Sequence, residues 1–453
     1  MLAGVLSRGY NRLQQEIIEM SDRFRYPAGY DEKCESVLKT ALRHVPLYKA
    51  WAQFDPGPVA SLDERFRSLP ILTKADVRSG FPRGLVPDFK DLDAGLSSGE
   101  IEYTFTSGTT AEKVVNIWNQ SWWDASEAAS WKLNRCTASL TYPQKQAKLA
   151  SSLNVGISCE EDLPMSHRIL GHTLYLNEKM SILQWQPRHL KRMTEEMNTY
   201  EPVVLEANPS LLARLAWHVM DNDVKIFSPA VIVFTFEYPS ALHLGVIKQV
   251  FSSALVSSYG STETGFVMEQ CENGSMHQNT SSCRIDFEPL KPQYGLPKLG
   301  RILVTTFDNP WNYIIRFDVG DLIRLCPSGG CSCGRSEGMI AEAIDGRVSN
   351  LTFNVDGGLV TTKMLDDALS GVGCLRDYRL VQSDQTHYLL QAMLAPNESP
   401  ATPADELHHV LEETYGRNGV YDVQITASLL PGPAGKFRRT QASFEFDESR
   451  LFR

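Results

Sequence analysis

The sequence lacks the features that mark several large classes of protein. It has no basic surplus, since 44 Lys and Arg stand against 54 Asp and Glu, whereas a nucleic-acid surface needs a basic stripe. No apolar run approaches the ~20 residues that cross a bilayer, and the first residues show no signal-peptide pattern. Nine cysteines, an odd number, are scattered over the chain, as is typical of reduced thiols. We therefore expect a cytoplasmic protein that binds neither nucleic acid nor membrane.

Familiar catalytic signatures are also missing: the sequence shows no Ser/His/Asp or Cys/His constellation and no Walker-type P-loop. One segment nevertheless suggests phosphate chemistry. In "YTFTSGTTAEKVVN" (103–116), two strand-forming runs flank small hydroxyl residues around one glycine: Thr106, Ser107, Gly108, Thr109 and Thr110. The flanks predict a hairpin, and the backbone N–H groups and hydroxyls at its tip can surround a polyphosphate. The alternative is a polar hairpin loop without a ligand.

The chain length of 453 residues predicts two or more domains. Residues 1–50 have helical periodicity, and residues 202–265 alternate buried strand with helix, which predicts a layered α/β core. A further helix is predicted over residues 124–139, with Asp124 as its N-cap. Beyond residue 347 the order becomes helix, two strands, helix and strand. This change predicts a domain at 1–347 and a small α+β domain at 348–453.

Five motifs together resemble the acyl-adenylate-forming superfamily. The first is the hydroxyl loop, and the other four follow in the family order: "SSYGSTETG" (257–265), "YIIRFDVGDLIRL" (313–325), "DGRVSN" (345–350) and "GPAGKFRRT" (432–440). "VPLYKAW", "LPILTKADVRSGFP" and "CSCGR" resemble its phenylacetate–CoA ligase branch. The resemblance implies an α/β protein: a large N-terminal domain of layered mixed sheets and helices, and a small mobile α+β C-terminal domain.

The resemblance also implies the reaction. A substrate carboxylate, expected to be aromatic, attacks the α-phosphate of ATP and gives an acyl-adenylate and pyrophosphate. The carboxylate is already ionised, so the protein must hold two anions together rather than supply a base. Coenzyme A is the expected acceptor, and an amine or a carrier-protein thiol is the alternative. A catalytically degenerate nucleotide-binding relative is a third hypothesis. The protein could also form a homodimer.

The family pattern assigns the nucleotide to these residues: Thr106, Ser107, Gly108, Thr109, Thr110, Tyr259, Gly260, Ser261, Thr262, Asp321 and Arg347. The hydroxyl loop would hold the β- and γ-phosphates. Tyr259 would stack on adenine, and Asp321 would accept hydrogen bonds from the ribose. The implied catalytic residues are Lys436 at the α-phosphate, Glu263 as the Mg²⁺ ligand and Thr109.

Some residues depart from the family pattern. Ala111 replaces the second glycine of the hydroxyl loop. Asp318 stands where the family has arginine, and Ser349 and Asn350 stand where it has two acids. Asparagine can still serve as a hinge because it tolerates unusual backbone angles. These departures bear on the movement of the small C-terminal domain more than on the binding of ATP.

A second hypothesis concerns structural zinc. Cys271 and His277 have C-x5-H spacing, and Cys331 and Cys333 form a C-x-C pair, which together give four soft ligands. From spacing alone, reduced cysteines beside an unrelated histidine are the alternative, and Cys326 could replace one ligand. The phenylacetate–CoA ligase branch carries Cys and His at corresponding places. Such a site would hold two loops together without taking part in chemistry.

Overall fold

The computed structural model describes residues 24–105, 114–141, 143–151, 159, 161–294, 296, 298–326, 330–396, 401–432 and 436–452. The chain divides into two compact units. The first comprises Met1–Ala138, Ser258–Ala343 and Ser449–Arg453, and the second comprises Ser139–Ser257 and Ile344–Glu448. The domain boundary between residues 347 and 348 stays a prediction. Among the described helices, none combines the length and the apolar character that a membrane span requires.

The α-helices of the described residues are α1 Tyr30–His44, α2 Pro46–Lys49, α3 Leu62–Ser68, α4 Lys74–Gly80, α5 Leu92–Ser98, α6 Gln120–Trp131, α7 Arg135–Ala138, α8 Pro187–Tyr200, α9 Pro209–Asp221, α10 Ala241–Val250, α11 Thr362–Leu369 and α12 Ala401–Tyr415.

The strands are β1 Glu102–Phe105, β2 Val115–Trp118, β3 Gln146–Leu149, β4 Ile169–Leu170, β5 Thr173–Tyr175, β6 Val204–Ala207, β7 Val231–Phe234, β8 Ala254–Ser261, β9 Gly265–Gln270, β10 Met276–Gln278, β11 Cys283–Pro289, β12 Leu299–Thr306, β13 Phe317–Leu325, β14 Ile340–Arg347, β15 Thr352–Phe353, β16 Leu359–Val360, β17 Leu375–Gln382, β18 His387–Leu394, β19 Val420–Ile425 and β20 Thr440–Ala442.

The first unit is built on a sheet with the strand order β11-β12-β13-β14-β10-β9-β8. Pairing is antiparallel between β11 and β12, β12 and β13, β14 and β10, β10 and β9, and β9 and β8. The hairpin predicted around the hydroxyl loop is confirmed, because β1 and β2 pair antiparallel from Glu102 opposite Trp118 to Phe105 opposite Val115.

Helix α6 packs on strand β9 and corrects the predicted helix at 124–139. It begins at Gln120 because Asn119, not Asp124, is the N-cap: the Asn119 side chain accepts a hydrogen bond from the Trp122 amide at 2.9 Å. The Ser126 hydroxyl accepts from the amide of Phe266 on β9, also at 2.9 Å. These bonds place α6 directly against the strand that follows the Tyr259 motif.

The α/β part of the second unit confirms the predicted alternation of strand and helix. Strands β8, β7, β6, β3 and β5 pair in parallel, and β4 lies antiparallel to β5. The core against this sheet is aliphatic and fully buried, for example Leu149, Leu205, Leu211, Leu215, Ile232 and Ile247. Helix α9 starts where Asn208 caps the amides of Ser210 and Leu211, with Pro209 as the first helical residue.

The C-terminal part of the second unit has the predicted order of helix, two strands, helix and strand. Its sheet runs β19-β18-β17-β20, with β17 and β18 antiparallel and both outer pairs parallel. Helices α11 and α12 bury apolar residues against it, among them Leu365, Leu369, Leu407 and Leu411. This part therefore has a hydrophobic core of its own.

A buried charged cluster connects the two parts of the second unit. Asp377 on β17 forms an ion pair with Arg439, and the Arg439 guanidinium also lies 3.1 Å from the imidazole of His243 on α10. All three residues are at most 4% exposed. Burial alone would raise the pKa of Asp377, but the charge of Arg439 outweighs it and holds that pKa well below its usual range.

The Asp377→Ala substitution should therefore destabilise the protein strongly. It leaves the Arg439 guanidinium buried without its carboxylate, which costs about 3 kcal/mol or more of unfolding free energy. Asp221→Ala is the matched control, because the Asp221–Arg376 pair is more exposed and removing it should cost less than about 1 kcal/mol. Urea denaturation of both variants measures the difference, and equal losses would contradict this ranking.

Candidate functional site

The Tyr259 motif forms a tight hairpin between β8 and β9. Ser261 pairs with Gly265 across the turn, and the Ser261 and Thr264 hydroxyls lie 3.0 Å apart. Gly260 cannot be replaced by a larger residue, because a Cβ there would lie 2.1 Å from the carbonyl oxygen of Gly265. The register also shifts between Tyr259 and Gly260. The small residues of the motif thus permit a close approach of two strands.

The structure brings two of the predicted nucleotide ligands into contact. The Tyr259 hydroxyl donates a hydrogen bond of 2.9 Å to Oδ2 of Asp321 on β13. Strands β9, β10 and β14 lie between β8 and β13 in the sheet order. Four strand spacings in a flat sheet would separate the two strands by about 19 Å, so the sheet must curl to bring these side chains together.

Glu263, the predicted Mg²⁺ ligand, lies in the turn of the same hairpin and is 5% exposed. Ser261 and Thr262 precede it, so the structure places these motif residues with Tyr259 and Gly260 on one short segment. A carboxylate that is this buried requires hydrogen bonds or a cation to offset its desolvation. A hard carboxylate oxygen is the ligand type that Mg²⁺ prefers, so the donor fits the ion.

A second buried carboxylate, which was not predicted from the sequence, contacts the hairpin of β8 and β9. Glu269 on β9 is fully buried, and its Oε2 accepts hydrogen bonds from the hydroxyls of Ser130 (2.7 Å) and Ser258 (2.5 Å). Burial raises the pKa of Glu269 to about 7, which the two serine hydrogen bonds only partly oppose. Ser258 directly precedes Tyr259, so this carboxyl group holds the strand that carries the motif.

The hydroxyl loop itself lies outside the described residues. This applies to the predicted phosphate ligands Thr106, Ser107, Gly108, Thr109 and Thr110. Their roles stay predictions. The described strands β1 and β2 fix both ends of the loop, because Phe105 and Val115 are paired.

Lys436 belongs to the second unit, and its segment is held by backbone contacts. Its carbonyl accepts a hydrogen bond from the Gly432 amide at 3.0 Å, and the next amide, of Phe437, donates to Glu237 at 3.2 Å. Glu237 follows the carboxyl end of β7, where ligands bind in α/β sheets. Glu237 was not predicted from the sequence, although its place as a polar residue shortly after the apolar run "VIVF" was an available signal.

The predicted hinge is tied to the same segment. Arg347 ends β14, and the residues after it are held by Arg438, which donates to the Asn350 side chain at 3.0 Å and to the Ser349 carbonyl. The Thr440 hydroxyl donates to the Asn350 carbonyl at 2.7 Å. Asn350 acts only as an acceptor in these bonds, through its side-chain oxygen and its backbone carbonyl, so an acidic residue could make the same bonds.

The four predicted zinc ligands lie together in the first unit. The ligand atoms of Cys271, His277, Cys331 and Cys333 are all within 4.8 Å of one another. Sγ of Cys271 is 3.7 Å from Sγ of Cys331, and Sγ of Cys333 is 3.4 Å from Nε2 of His277. A tetrahedral zinc with Zn–S bonds of about 2.3 Å has sulfur atoms about 3.8 Å apart, so the spacing fits the ion.

The surroundings of this cluster suit a metal that binds thiolates. Burial lowers the pKa of His277 to about 4, so its imidazole is neutral at pH 7, which is the form that ligates metals. The Arg335 amide donates to the Cys333 sulfur at 3.5 Å, and its guanidinium places a positive charge nearby. Cys326, the proposed replacement ligand, lies outside the group and contacts Ser275 instead.

The chain has relatives of known sequence and of known structure. No model of a known protein family matches it. Protein CapK of Staphylococcus aureus is 20% identical over 377 residues, which cover 82% of this chain and 78% of CapK. A 2-hydroxyisobutyryl-CoA ligase, solved in the postadenylation state with 2-HIB-AMP, has a TM-score of 0.69 at 18% identity and covers 94% of this chain and 92% of its own.

The chain has the fold of adenylate-forming CoA ligases. The anthranilate CoA ligase AuaEII, solved with anthranoyl-AMP, is a more distant match, with a TM-score of 0.50 at 12% identity over 74% of this chain and 65% of its own. The fold class expected from the motifs is therefore confirmed. The narrower resemblance to the phenylacetate–CoA ligase branch stays a prediction.

The buried carboxyl group of Glu269 predicts a pH dependence of stability. Its pKa rises from an ordinary value of 4.5 to about 7 on folding, so between these values the native state binds the proton and the unfolded state does not. The unfolding free energy should thus fall as the pH rises through this window, by up to about 3 kcal/mol.

Glu269→Gln should remove that contribution, because the amide stays neutral at every pH. Urea denaturation near pH 5 and near pH 8 measures it, and the variant should lose less stability than the wild type between the two. Glu195→Gln, at an exposed position on α8, serves as the control and should behave like the wild type. An unchanged pH dependence in Glu269→Gln would contradict the assignment.

Proposed function

We propose that this protein activates a carboxylic acid with ATP as an acyl-adenylate and then transfers the acyl group to the thiol of coenzyme A. The hydrogen bond between Tyr259 and Asp321 carries the proposal. It joins two motifs that resemble nucleotide-binding motifs, within a fold that a CoA ligase shares over 94% of this chain.

In the first step, a carboxylate oxygen of the acid forms a bond to the α-phosphorus of ATP. The bond between that phosphorus and the bridging oxygen breaks, and pyrophosphate leaves with the electron pair. No proton moves, because the acid is already ionised. The protein's contribution is therefore orientation of the two anions and stabilisation of the charge that develops on phosphorus.

Residues of the Tyr259 and Asp321 motifs would bind the nucleotide. The Asp321 carboxylate is the acceptor that the family pattern assigns to the ribose, and a carboxylate can accept from both ribose hydroxyls. The Tyr259 ring provides a flat surface for adenine, beside Gly260, Ser261 and Thr262. Glu263 would hold Mg²⁺, whose chemistry when bound is to offset the negative charge of the triphosphate.

Lys436 would act at the reacting phosphate. The Lys436 ammonium group is a mobile point charge that suits an oxygen of the α-phosphate. Its neighbours Phe437, Arg438 and Arg439 all form hydrogen bonds, which would help to position the segment that carries the lysine. Arg347 would contact the ribose or phosphate side of the nucleotide.

In the second step, the sulfur of coenzyme A attacks the acyl carbon. The thiol gives up its proton to solvent water, a thioester bond forms, the bond from that carbon to the phosphate oxygen breaks, and AMP leaves with that electron pair. An aromatic acid is the expected substrate. An amine would follow the same course through nitrogen and give an amide, so the acceptor is decided by experiment.

We propose further that Cys271, His277, Cys331 and Cys333 hold a structural zinc ion. Three thiolates and Zn²⁺ have a net charge of −1, which the neighbouring Arg335 would compensate. The ion would fix the loop after β9 to the segment around Cys331. It would take no part in the transfer of the acyl group.

Lys436→Ala should lower the rate of ATP–pyrophosphate exchange at least about 100-fold, because the charge at the α-phosphate is lost. Exchange is measured with a panel of aryl and alkyl acids, which also identifies the acid. Lys363→Ala is the control, since this lysine pairs with Asp367 on the surface of α11 and should leave exchange unchanged. Coenzyme A, amines or a carrier protein are then added in turn.

Two outcomes of this assay would contradict the proposal. Exchange by Lys436→Ala at nearly the wild-type rate would exclude the assigned role of the lysine. A wild-type protein that binds ATP but exchanges no pyrophosphate with any acid would instead support a catalytically degenerate relative.

Elemental analysis of the purified protein should find about one zinc per chain. Cys331→Ser should lose most of this zinc and lower the Tm, because one of the thiolates is removed. Cys326→Ser should keep it, since Cys326 is a buried cysteine near the cluster but outside it. Zinc-free protein with an unchanged Tm would contradict the assignment.

A further inference from the structure

Asp321 lies in a bulge of strand β13. The pairing of β12 with β13 runs from Arg301 opposite Leu322 directly to Leu303 opposite Asp318. Residues 319–321 therefore stand opposite Ile302 alone and leave the regular ladder. Gly320 within the bulge has a φ of +82°, a conformation that glycine adopts without strain. The position of Asp321 thus depends on whatever fixes this bulge.

Asp318 at the base of the bulge fixes it through both carboxylate oxygens. Oδ1 accepts the amide of Gly320 at 2.9 Å, and Oδ2 accepts from Nη1 of Arg301 at 2.6 Å. The two side chains are only 22% and 14% exposed, so solvent screens the pair weakly. Arg301 pairs with the regular ladder at one end of the bulge, and Asp318 lies at the other end. The ion pair between them therefore links the two ends of the bulge.

Arg301 is itself held rigidly. Its Nε donates to Oε2 of Glu288 at 2.7 Å, and its guanidinium lies 4.4 Å from the ring centre of Phe452. Glu288 lies on β11, so the guanidinium is held from the far side of β12 as well. With these partners, the Arg301 side chain has few other rotamers available. It therefore holds the Asp318 carboxylate in a fixed position relative to the sheet.

We propose that Asp318 and Arg301 form a positioning pair for nucleotide recognition. The pair holds the bulge so that Asp321 keeps one orientation, bonded to Tyr259 and ready for the ribose hydroxyls. Asp318 touches no nucleotide in this account and acts through Gly320 and Asp321. The inference rests on the proposed function, because it requires that Asp321 binds ribose.

Calorimetric titration with two nucleotides tests this role. ATP and 2′,3′-dideoxy-ATP share base and phosphates, so the ratio of their Kd values reports only the ribose hydroxyls. The wild type should prefer ATP by about tenfold or more. Asp321→Ala should abolish the preference, and Asp318→Ala should lose most of it. The double variant should lose no more than Asp321→Ala, because both act through one contact.

A control and a second measurement separate positioning from general stability. Asp55→Ala removes another partly buried carboxylate that pairs with an arginine, Arg65, in the same unit, and it should keep the wild-type preference. Hydrogen–deuterium exchange should be faster over residues 318–322 in Asp318→Ala and unchanged there in Asp55→Ala. Should Asp318→Ala fail to fold, Asp318→Asn retains an acceptor for the Gly320 amide and should show an intermediate preference.

The outcomes distinguish the positioning role of Asp318 from the proposed function. If Asp321→Ala abolishes the preference for ATP while Asp318→Ala and Asp318→Asn keep it, the positioning role is wrong and the proposed function stands. If the wild type fails to bind ATP, or binds both nucleotides equally, the ribose assignment fails and the positioning role fails with it.

Discussion

The hydrogen bond between the Tyr259 hydroxyl and the Asp321 carboxylate is the interaction on which the rest of the candidate site depends. It connects strands that three others separate, so it exists only because the sheet of the first unit curls. The Gly260–Gly265 approach places Tyr259 on one side, and the bulge of β13 places Asp321 on the other. Each half is a backbone irregularity, which functional sites often contain.

Buried and half-buried carboxylates fix their partners in a similar way within each unit. Glu269 accepts from two serine hydroxyls beneath the Tyr259 motif, and Asp318 accepts an amide and a guanidinium beneath Asp321. In the second unit, Asp377 neutralises Arg439 close to Lys436. Removing a carboxylate from water costs free energy. Each of these carboxylates in turn restricts its hydrogen-bond partner to few orientations.

The sequence predicted the elements whose signals are local. The alternation of apolar strands and helices over residues 202–265 predicted the layered α/β core. The four zinc-ligand candidates were found by spacing and by resemblance. The predicted start of helix α6 was wrong. Asn119 and Asp124 are both good N-caps, and packing of the helix against β9 selects Asn119. Glu269, Glu237 and the Asp318–Arg301 pair were missed, since partners 139, 200 and 17 residues apart leave no local pattern.

A crystal structure of the protein with ATP and magnesium tests the central claim most directly. We predict that both ribose hydroxyl oxygens lie within hydrogen-bonding distance of the Asp321 carboxylate, with adenine against the Tyr259 ring and the triphosphate at residues 106–110. A nucleotide bound elsewhere, or one whose ribose does not contact Asp321, would contradict the account.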